Sequence, residues 1–105
     1  MTTPVTTIVV LFNLKAGISI ADYEKFAREL DIPQVNRLPS VASFEVLKAQ
    51  GLLGGGESPY QYIEILRVRD MAQLGQDTQS AVMQAVVSTF RAMADSPQFI
   101  ISQQL

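Results

Sequence analysis

The feature that most constrains the fold is an apolar run, Ile8–Phe12, within a segment typical of a β-strand. Valine and isoleucine dominate Val5–Leu14, and these β-branched residues favour strands. Side chains of a strand alternate between its two faces, so five consecutive apolar residues make both faces apolar. An antiparallel strand with one face in water would instead alternate apolar and polar residues. We therefore expect this strand to be covered on both sides.

The first helix is predicted to begin at Ser19, a favoured N-cap residue with Asp22 three positions later. Its core stripe follows at helical spacing: Tyr23, Phe26, Ala27 and Leu30. Pro33 is expected to break or kink this helix near Asp31, because proline lacks an amide hydrogen and its ring clashes with the preceding turn. A further helical turn is predicted over Gln34–Leu38.

The remaining elements complete the order β-α-β-β-α-β. They are predicted as strands over Ser40–Gln50 and Pro59–Val68, joined by a glycine-rich loop. A short turn over Met71–Leu74, with Asp70 as its N-cap and a break at Gly75, then leads to a helix over about Thr78–Ala94 and a strand over Gln98–Leu105. This order predicts an α+β, ferredoxin-like fold, in which two helices cover one face of a four-stranded antiparallel sheet. The 105 residues suffice for a single domain, which we predict to span 1–105.

The second face of this sheet predicts an oligomer. The first strand is apolar on that face too, and the third strand adds Ile63 and Ile65. Only 17% of the residues are charged while 48% are hydrophobic, which is a low charge for a small monomer. An exposed apolar face of roughly several hundred Å² marks an interface. The simplest arrangement is a homodimer that packs sheet on sheet and closes a barrel between its subunits.

Composition excludes several classes of site and partner. The chain has no histidine and no cysteine, which removes the commonest metal ligands and the triads built on them. No acidic cluster has a spacing that suits a carboxylate-only metal site, so neither a metal nor a cofactor is predicted. A net charge of −2 with scattered bases argues against nucleic acid. The run Ile8–Phe12 is too short for a signal or membrane segment, so we expect no membrane partner and a cytoplasmic location.

The third predicted strand carries unusual polar side chains, because Tyr60, Tyr62 and Glu64 share one face. In the functional interpretation this strand lines a cavity, with Glu64 and Tyr62 as catalytic acid–base groups and Tyr60 as a ligand contact. Burial would raise the pKa of the Glu64 carboxyl towards a value useful for catalysis. In the alternative, the strand is ordinary and Glu64 pairs with Arg67 or Arg37. The sequence leaves open which face of the sheet holds the pocket.

Five further residues are candidates for ligand contact: Asn13, Tyr23, Asn36, Arg37 and Phe44. Asn13 interrupts an apolar strand, so it meets either a ligand or a backbone group at the strand end. Tyr23 belongs to the helix stripe, yet its hydroxyl is placed to reach a cleft between helix and sheet. Asn36 and Arg37 follow the predicted kink, where a loop would close a pocket, and Arg37 suits an anionic ligand group unless it is simply solvated. Phe44 shares an apolar strand face.

Four segments carry a resemblance to a known family: FNLKAGISIADYEKFA, DIPQVNRLPSVASFEV, GLLGGGESPYQYIEI and DSPQFI. With them the chain resembles the dimeric α/β-barrel superfamily and, within it, the REDY-like HapK family of prodigiosin-type tripyrrole biosynthesis. The resemblance implies a small dimer of secondary metabolism with a ligand-sized cavity. Monooxygenases of this superfamily often use His, Trp or Asn beside the substrate. This chain has neither His nor Trp, so only Asn13 and Asn36 remain for that role.

Three functions follow from these observations. The first is binding, with or without acid–base transformation, of a small apolar aromatic or pyrrole-type molecule. The second is a non-catalytic binding or accessory protein, and the third is a cofactor-independent monooxygenase. Consumption of oxygen would identify the third, and saturable binding without a product would identify the second.

Overall fold

The computed structural model describes residues 5–105, and a four-stranded sheet organises them. Its strands are β1 (Thr6–Leu14), β2 (Val41–Lys48), β3 (Tyr62–Val68) and β4 (Ala94–Gln103). They pair antiparallel in the order β2-β3-β1-β4, which is the ferredoxin-like order and confirms the predicted fold class. The single domain predicted over 1–105 includes four N-terminal residues that lie outside the described part.

Two helical stretches connect the strands. The first consists of α1 (Ile20–Phe26), a π-helical turn (Ala27–Asp31) and α2 (Ile32–Asn36), and the second of α3 (Met71–Asp77) and α4 (Ala81–Met93). Apolar side chains of both stretches and of one sheet face form a single buried core: Ile8, Val10, Phe12, Tyr23, Phe26, Ala27, Val35, Val41, Phe44, Tyr62, Val68, Met83, Val86, Phe90 and Ala94. Within residues 5–105, no helix is long and apolar enough to cross a membrane.

The first helical stretch differs from its prediction at Pro33. The chain does not break there, because a wider π-helical turn precedes the proline, with the Ile32 amide donating to the Ala27 carbonyl five residues back. Such a turn relieves the clash that a proline ring causes in a regular helix. It also changes the buried face: Leu30, predicted inside, is 48% exposed, and Asp31 is 5% exposed instead.

The second helical stretch begins as predicted and continues further. The Asp70 carboxylate accepts a hydrogen bond from the Gln73 amide at 3.1 Å, which confirms this N-cap. The predicted break at Gly75 is wrong, since α3 runs on to Asp77. A second cap, Ser80, accepts from the Met83 amide at 3.2 Å and starts α4, later than the predicted Thr78.

Irregularities in the strands also decide which side chains face the helices. The pairing of β2 with β3 shifts between Val41 and Ser43, so Val41 and Phe44 both enter the core while Ala42 is exposed. Strand β4 begins directly after α4, and it accommodates Pro97 at the edge of the sheet, where a missing amide donor is tolerated. The predicted start of the last strand at residue 98 was therefore too late.

The face of the sheet opposite the helices is only partly polar. Its apolar side chains are half-buried or exposed: Val9, Leu11, Leu47, Ile63, Ile65 and Ile100. Cross-strand pairing brings several of them together, with Val9 opposite Ile65 and Ile100, and Leu11 opposite Ile63. These six residues are called the open apolar face below.

Candidate functional site

Glu64 lies in the middle of the sheet, on the side that faces the helices. It stands opposite Val10 of β1 and Val46 of β2, and it is 5% exposed. Its Oε2 atom is buried without a hydrogen-bond partner. The alternative pairing with Arg67 is wrong, since the Arg67 guanidinium lies 3.5 Å from the Glu45 carboxylate on the other face. The Arg37 side chain is exposed.

A second carboxyl, that of Asp31, shares this environment. Asp31 is also 5% exposed, and burial alone raises its pKa to about 6. The pKa of Glu64 rises to about 8, first because burial penalises the carboxylate and second because the Asp31 charge repels it. Near neutral pH the pair therefore holds one negative charge, on Asp31, and one proton, on Glu64.

Glu64 and Asp31 both line a cavity of about 250 Å³ between the sheet and the helices, close to the lower end of the roughly 300–1,000 Å³ of small-molecule pockets. Its walls are otherwise almost entirely apolar: Ile8, Val10, Val35, Leu38, Phe44, Leu66, Leu74, Thr78, Met83, Val86, Val87, Phe90, Arg91 and Phe99 complete the lining. Of the two sheet faces that the sequence left open, this cavity lies on the one that faces the helices.

Sequence reasoning did not select Asp31. A regular helix through Tyr23, Phe26 and Ala27 places Leu30 in the core, and nothing in that spacing marks the next residue. The one indication in the sequence was Pro33, two residues after Asp31, because a proline inside a helix requires a departure from α-helical geometry in the turn before it. The π-helical turn is that departure, and turns of this kind are frequent at functional sites.

An aromatic cluster closes the other end of the core. The ring of Phe12 stacks on Tyr62, with centroids 5.5 Å apart, and meets Tyr23 and Phe90 edge-on at 5.5 and 5.0 Å. The Tyr23 hydroxyl is buried without a hydrogen-bond partner. Burial, followed by the nearby Glu64 and Asp31 charges, holds the pKa of this phenol well above its usual range. Tyr23 therefore adjoins the two carboxyls as a neutral side chain.

Tyr62, predicted as a catalytic partner of Glu64, is directed elsewhere. Its hydroxyl donates a 2.7 Å hydrogen bond to Oε2 of Glu24, and the same carboxylate oxygen lies 2.8 Å from the Lys48 ammonium. Although Tyr62 and Glu64 share a strand face, the buried phenol ring of Tyr62 extends to Glu24 on α1. Tyr62 is not among the cavity-lining residues, so the structure does not join it to Glu64.

Asn13 and Tyr60 also lie outside the cavity. The Asn13 amide donates to the Pro59 carbonyl at 3.0 Å and accepts from the Gln61 amide at 2.8 Å. It thus fixes the entry of β3, which is the backbone role that the sequence offered as an alternative to ligand contact. Tyr60 is half-buried and precedes β3, which begins at Tyr62 rather than Pro59.

The Asn36 side chain also binds backbone groups, whereas the Arg37 side chain is exposed. The Asn36 amide group accepts from the Phe44 amide at 3.0 Å and donates to the Phe44 carbonyl at 2.9 Å. This pair of bonds ties α2 to β2 and fixes Phe44, whose ring lines the cavity. Of the eight predicted site residues, Glu64 and Phe44 line the cavity, and Tyr23 adjoins its carboxyls. In the described residues 5–105, no group of acidic side chains is arranged to hold a metal ion.

Comparison with protein families identifies one match. The family model described as REDY-like protein HapK matches residues 6–105. No curated protein sequence matches the chain significantly.

Solved structures share the fold over nearly the whole chain. HapK from Hahella chejuensis is 25% identical, with a TM-score of 0.77 over 95% of this chain and 92% of that one. SnoaB, a cofactor-independent oxygenase from Streptomyces nogalater, is 13% identical, with a TM-score of 0.76 over 97% and 94% of the two chains. A dimeric protein of ferredoxin-like fold from Bacteroides fragilis is 9% identical, with a TM-score of 0.69 over 99% and 100%. The last two likenesses show the fold alone.

Proposed function

The chain belongs to the REDY-like HapK family, and from that premise we propose that it binds a small, mostly apolar aromatic molecule of the pyrrole class in the Glu64 cavity. The step it serves belongs to secondary metabolism of the prodigiosin type, as the family resemblance implies. One observation carries the proposal: a glutamate that is 95% buried, and whose Oε2 has no hydrogen-bond partner, is among the residues that line an apolar cavity.

A buried polar atom without a partner costs free energy, typically about 1–3 kcal/mol. A ligand that forms a hydrogen bond with Glu64 recovers this cost, while its apolar surface replaces water against the aliphatic walls. Catalytic clefts concentrate carboxyls whose pKa is displaced in this way. The site therefore has both parts of a ligand pocket, an apolar enclosure and one convergent polar group.

Glu64 is also the acid–base group of this proposal. With a pKa near 8, it carries a proton at neutral pH and exchanges it within the physiological range, which suits proton transfer to or from a bound ring. The same chemistry serves a binding protein that only holds its ligand. Mass spectrometry of the ligand after incubation separates the two, since only a catalyst changes its mass or its exchangeable hydrogens.

An oxygenase function is less well supported by the site. Asn13 and Asn36 were the residues left for a substrate-contacting amide, and both amides bind backbone groups outside the cavity. The likeness to SnoaB is one of fold. Acid–base chemistry or binding through Glu64 is therefore the function that we propose.

Indole is a suitable probe, because it is a bicyclic aromatic that contains a pyrrole ring. Titration of indole, followed by amide chemical shifts, is expected to saturate and to perturb residues of the cavity wall. Val87→Phe, which fills the cavity from α4, should abolish this binding. Val82→Phe, on the exposed face of the same helix, is the matched control and should bind as the wild type does. Equal binding by both variants would contradict the assignment of the cavity.

We also propose a homodimer in which the open apolar face is the interface. Contiguous, partly exposed aliphatic side chains on one sheet face favour association. One structural neighbour is described as dimeric. Ile65 lies opposite Glu45 in the register of β2 and β3. In the separated subunit the ammonium of Ile65→Lys stays in water beside Glu45, whereas in the dimer it would be buried in an apolar interface, at a high cost in desolvation.

Sedimentation equilibrium tests this arrangement. The wild type is expected to sediment as a dimer of the 11.5 kDa chain, and Ile65→Lys as a monomer with its fold retained. Val82→Lys places the same charge on the helical side and should remain dimeric. An 11.5 kDa species for the wild type at micromolar concentration, or a dimeric Ile65→Lys, would overturn the proposed interface.

A further inference from the structure

Asp31 gives the cavity a second acidic group beside Glu64. Both carboxyls are 95% buried and line the same 250 Å³ space, and in residues 5–105 neither forms an ion pair. Oε2 of Glu64 has no hydrogen-bond partner. Two acids in an apolar enclosure without a compensating base are costly to fold. Their arrangement favours a ligand that brings the missing positive charge.

We propose that Asp31 is a second ligand-binding residue of this cavity and that, together with Glu64, it selects a planar aromatic ligand with a cationic, N–H-bearing nitrogen. This inference rests on the ligand cavity proposed above and names the class of ligand that the cavity takes. Ionised Asp31 accepts a charge-assisted hydrogen bond from the N–H group. Glu64, with its proton, offers both a carbonyl acceptor and an O–H donor to the neighbouring ligand atom.

The other ionisable groups around the pair do not neutralise it. Tyr23 adjoins it from α1 as a neutral phenol, while Val10 and Val46 flank Glu64 in the sheet. Arg91 contributes to the lining from α4, but its side chain is exposed, and the pKa of Glu64 is governed by burial and by Asp31. Arg91 thus lies at the rim, and the interior has an acidic end.

The helix geometry supports a dedicated position for Asp31. The π-helical turn over Ala27–Asp31 turns this carboxyl inward and leaves the apolar Leu30 exposed. The turn relieves the clash of the Pro33 ring, but it buries a carboxyl in place of a leucine, which costs desolvation free energy. Turns of this kind are frequent at functional sites.

Three probes of equal shape test the selection: benzamidinium, which is cationic, benzamide, which is neutral, and benzoate, which is anionic. At pH 7.5 we expect benzamidinium to bind at least about tenfold more tightly than benzamide, the factor that one charge-assisted hydrogen bond supplies. Benzoate should bind most weakly. Calorimetric titration gives all three dissociation constants under one set of conditions.

Asp31→Asn keeps the shape of the side chain and removes its charge. We expect the preference for benzamidinium to fall about tenfold, with benzamide binding little changed, and the pKa of Glu64 to fall because the repelling charge is gone. Glu29→Gln is the control, since it removes an acid from the exposed side of the same turn. In the wild type, benzamidinium affinity should also drop about tenfold between pH 7.5 and pH 5, as Asp31 takes up a proton. This measurement needs no variant to fold.

The outcomes separate this inference from the proposed function. If indole binds but benzamidinium shows no advantage over benzamide, the cation selection is wrong and the ligand cavity stands. Tighter binding of benzoate would assign the polar role to Arg91 and overturn the inference in the same way. If neither indole nor any of the three probes binds, both proposals fail. A pH-independent affinity for benzamidinium would also contradict the role of Asp31.

Discussion

Glu24 and Glu64 are the same residue type at the two ends of one helix–sheet core, and their environments drive their acidities in opposite directions. The Glu24 carboxylate bonds Lys48 and the Tyr62 hydroxyl and pairs with Arg28 at 3.3 Å, which together hold its pKa below the usual range. Glu64 is buried beside a second acid, and its pKa rises to about 8. Two basic side chains, Arg28 and Lys48, pair with Glu24, whereas none forms an ion pair with Glu64 in the described residues.

Substitution of Phe12, the residue that links the two ends of the core, should produce the largest loss of stability. Phe12 is 0% exposed, and its ring contacts Tyr62 at one end and Phe90, a cavity-lining residue, at the other. Phe12→Ala is expected to lower the free energy of unfolding by about 3–5 kcal/mol, the cost of a large cavity in a packed core. Urea denaturation measures it, with Leu53→Ala at an exposed position as the control. A loss below about 1 kcal/mol would show that the two ends are not joined through this ring.

The acidic end predicts a pH dependence of stability. Folding raises the pKa of Glu64 from 4.5 to about 8, so the folded state retains a proton that the unfolded state loses. The resulting contribution is complete below pH 4.5 and disappears as the pH rises through 8. Between pH 6.5 and 8, where Asp31 is already largely ionised, the free energy of unfolding should fall by about 2 kcal/mol.

Glu64→Gln is the variant that isolates this effect. The amide mimics the protonated carboxyl, so the variant should lose little stability across the same interval and exceed the wild type at pH 8.5. Denaturant titrations at each pH provide the comparison. An equal decline in both proteins would assign the pH dependence to another group.

The end of the core around Glu24, called the paired end because its carboxylate has bonded partners, predicts a smaller and more local loss of stability. Tyr62→Phe removes the hydroxyl that donates to Glu24 and should cost about 1 kcal/mol, the usual net contribution of one hydrogen bond. The pKa of Glu24 should rise, while that of Glu64 stays near 8. Tyr60→Phe is the control at a tyrosine with no such bond to Glu24. A shift in the Glu64 titration on loss of the Tyr62 hydroxyl would restore the predicted catalytic pairing of these residues.

The smallest effect belongs to the exposed cation of the paired end. Lys48→Met keeps the aliphatic part of the side chain and removes the ammonium that lies 2.8 Å from Glu24. Because the Lys48 side chain is 55% exposed, we expect a loss below about 1 kcal/mol that diminishes further in high salt. Thermal unfolding at two salt concentrations measures it. A larger, salt-insensitive loss would mean that the pair is part of the core.

The sequence predicted the fold and selected Glu64, which lines the cavity, but it missed Asp31 and the direction of the Tyr62 side chain. Element order, helix caps and the apolar run of β1 are local patterns, and they predicted the sheet and the caps at Ser19 and Asp70. The side of the sheet that Glu64 faces came only from the structure. Asp31 was missed because a π-helical turn changes the register of the buried face without a recognisable spacing. The predicted role of Tyr62 was wrong because strand alternation gives the face on which a side chain lies, but not the group that a long side chain contacts at its end.

The central claim is that the Glu64 carboxyl is protonated at neutral pH inside the cavity. Carbon-13 NMR of the labelled glutamate side chains, with Glu64 assigned by comparison with Glu64→Gln, follows this carboxyl directly as the pH is raised. We expect a titration midpoint near pH 8 for Glu64 and one below the usual range for Glu24 in the same experiment. A Glu64 midpoint near 4.5, that of an ordinary glutamate in water, would contradict it.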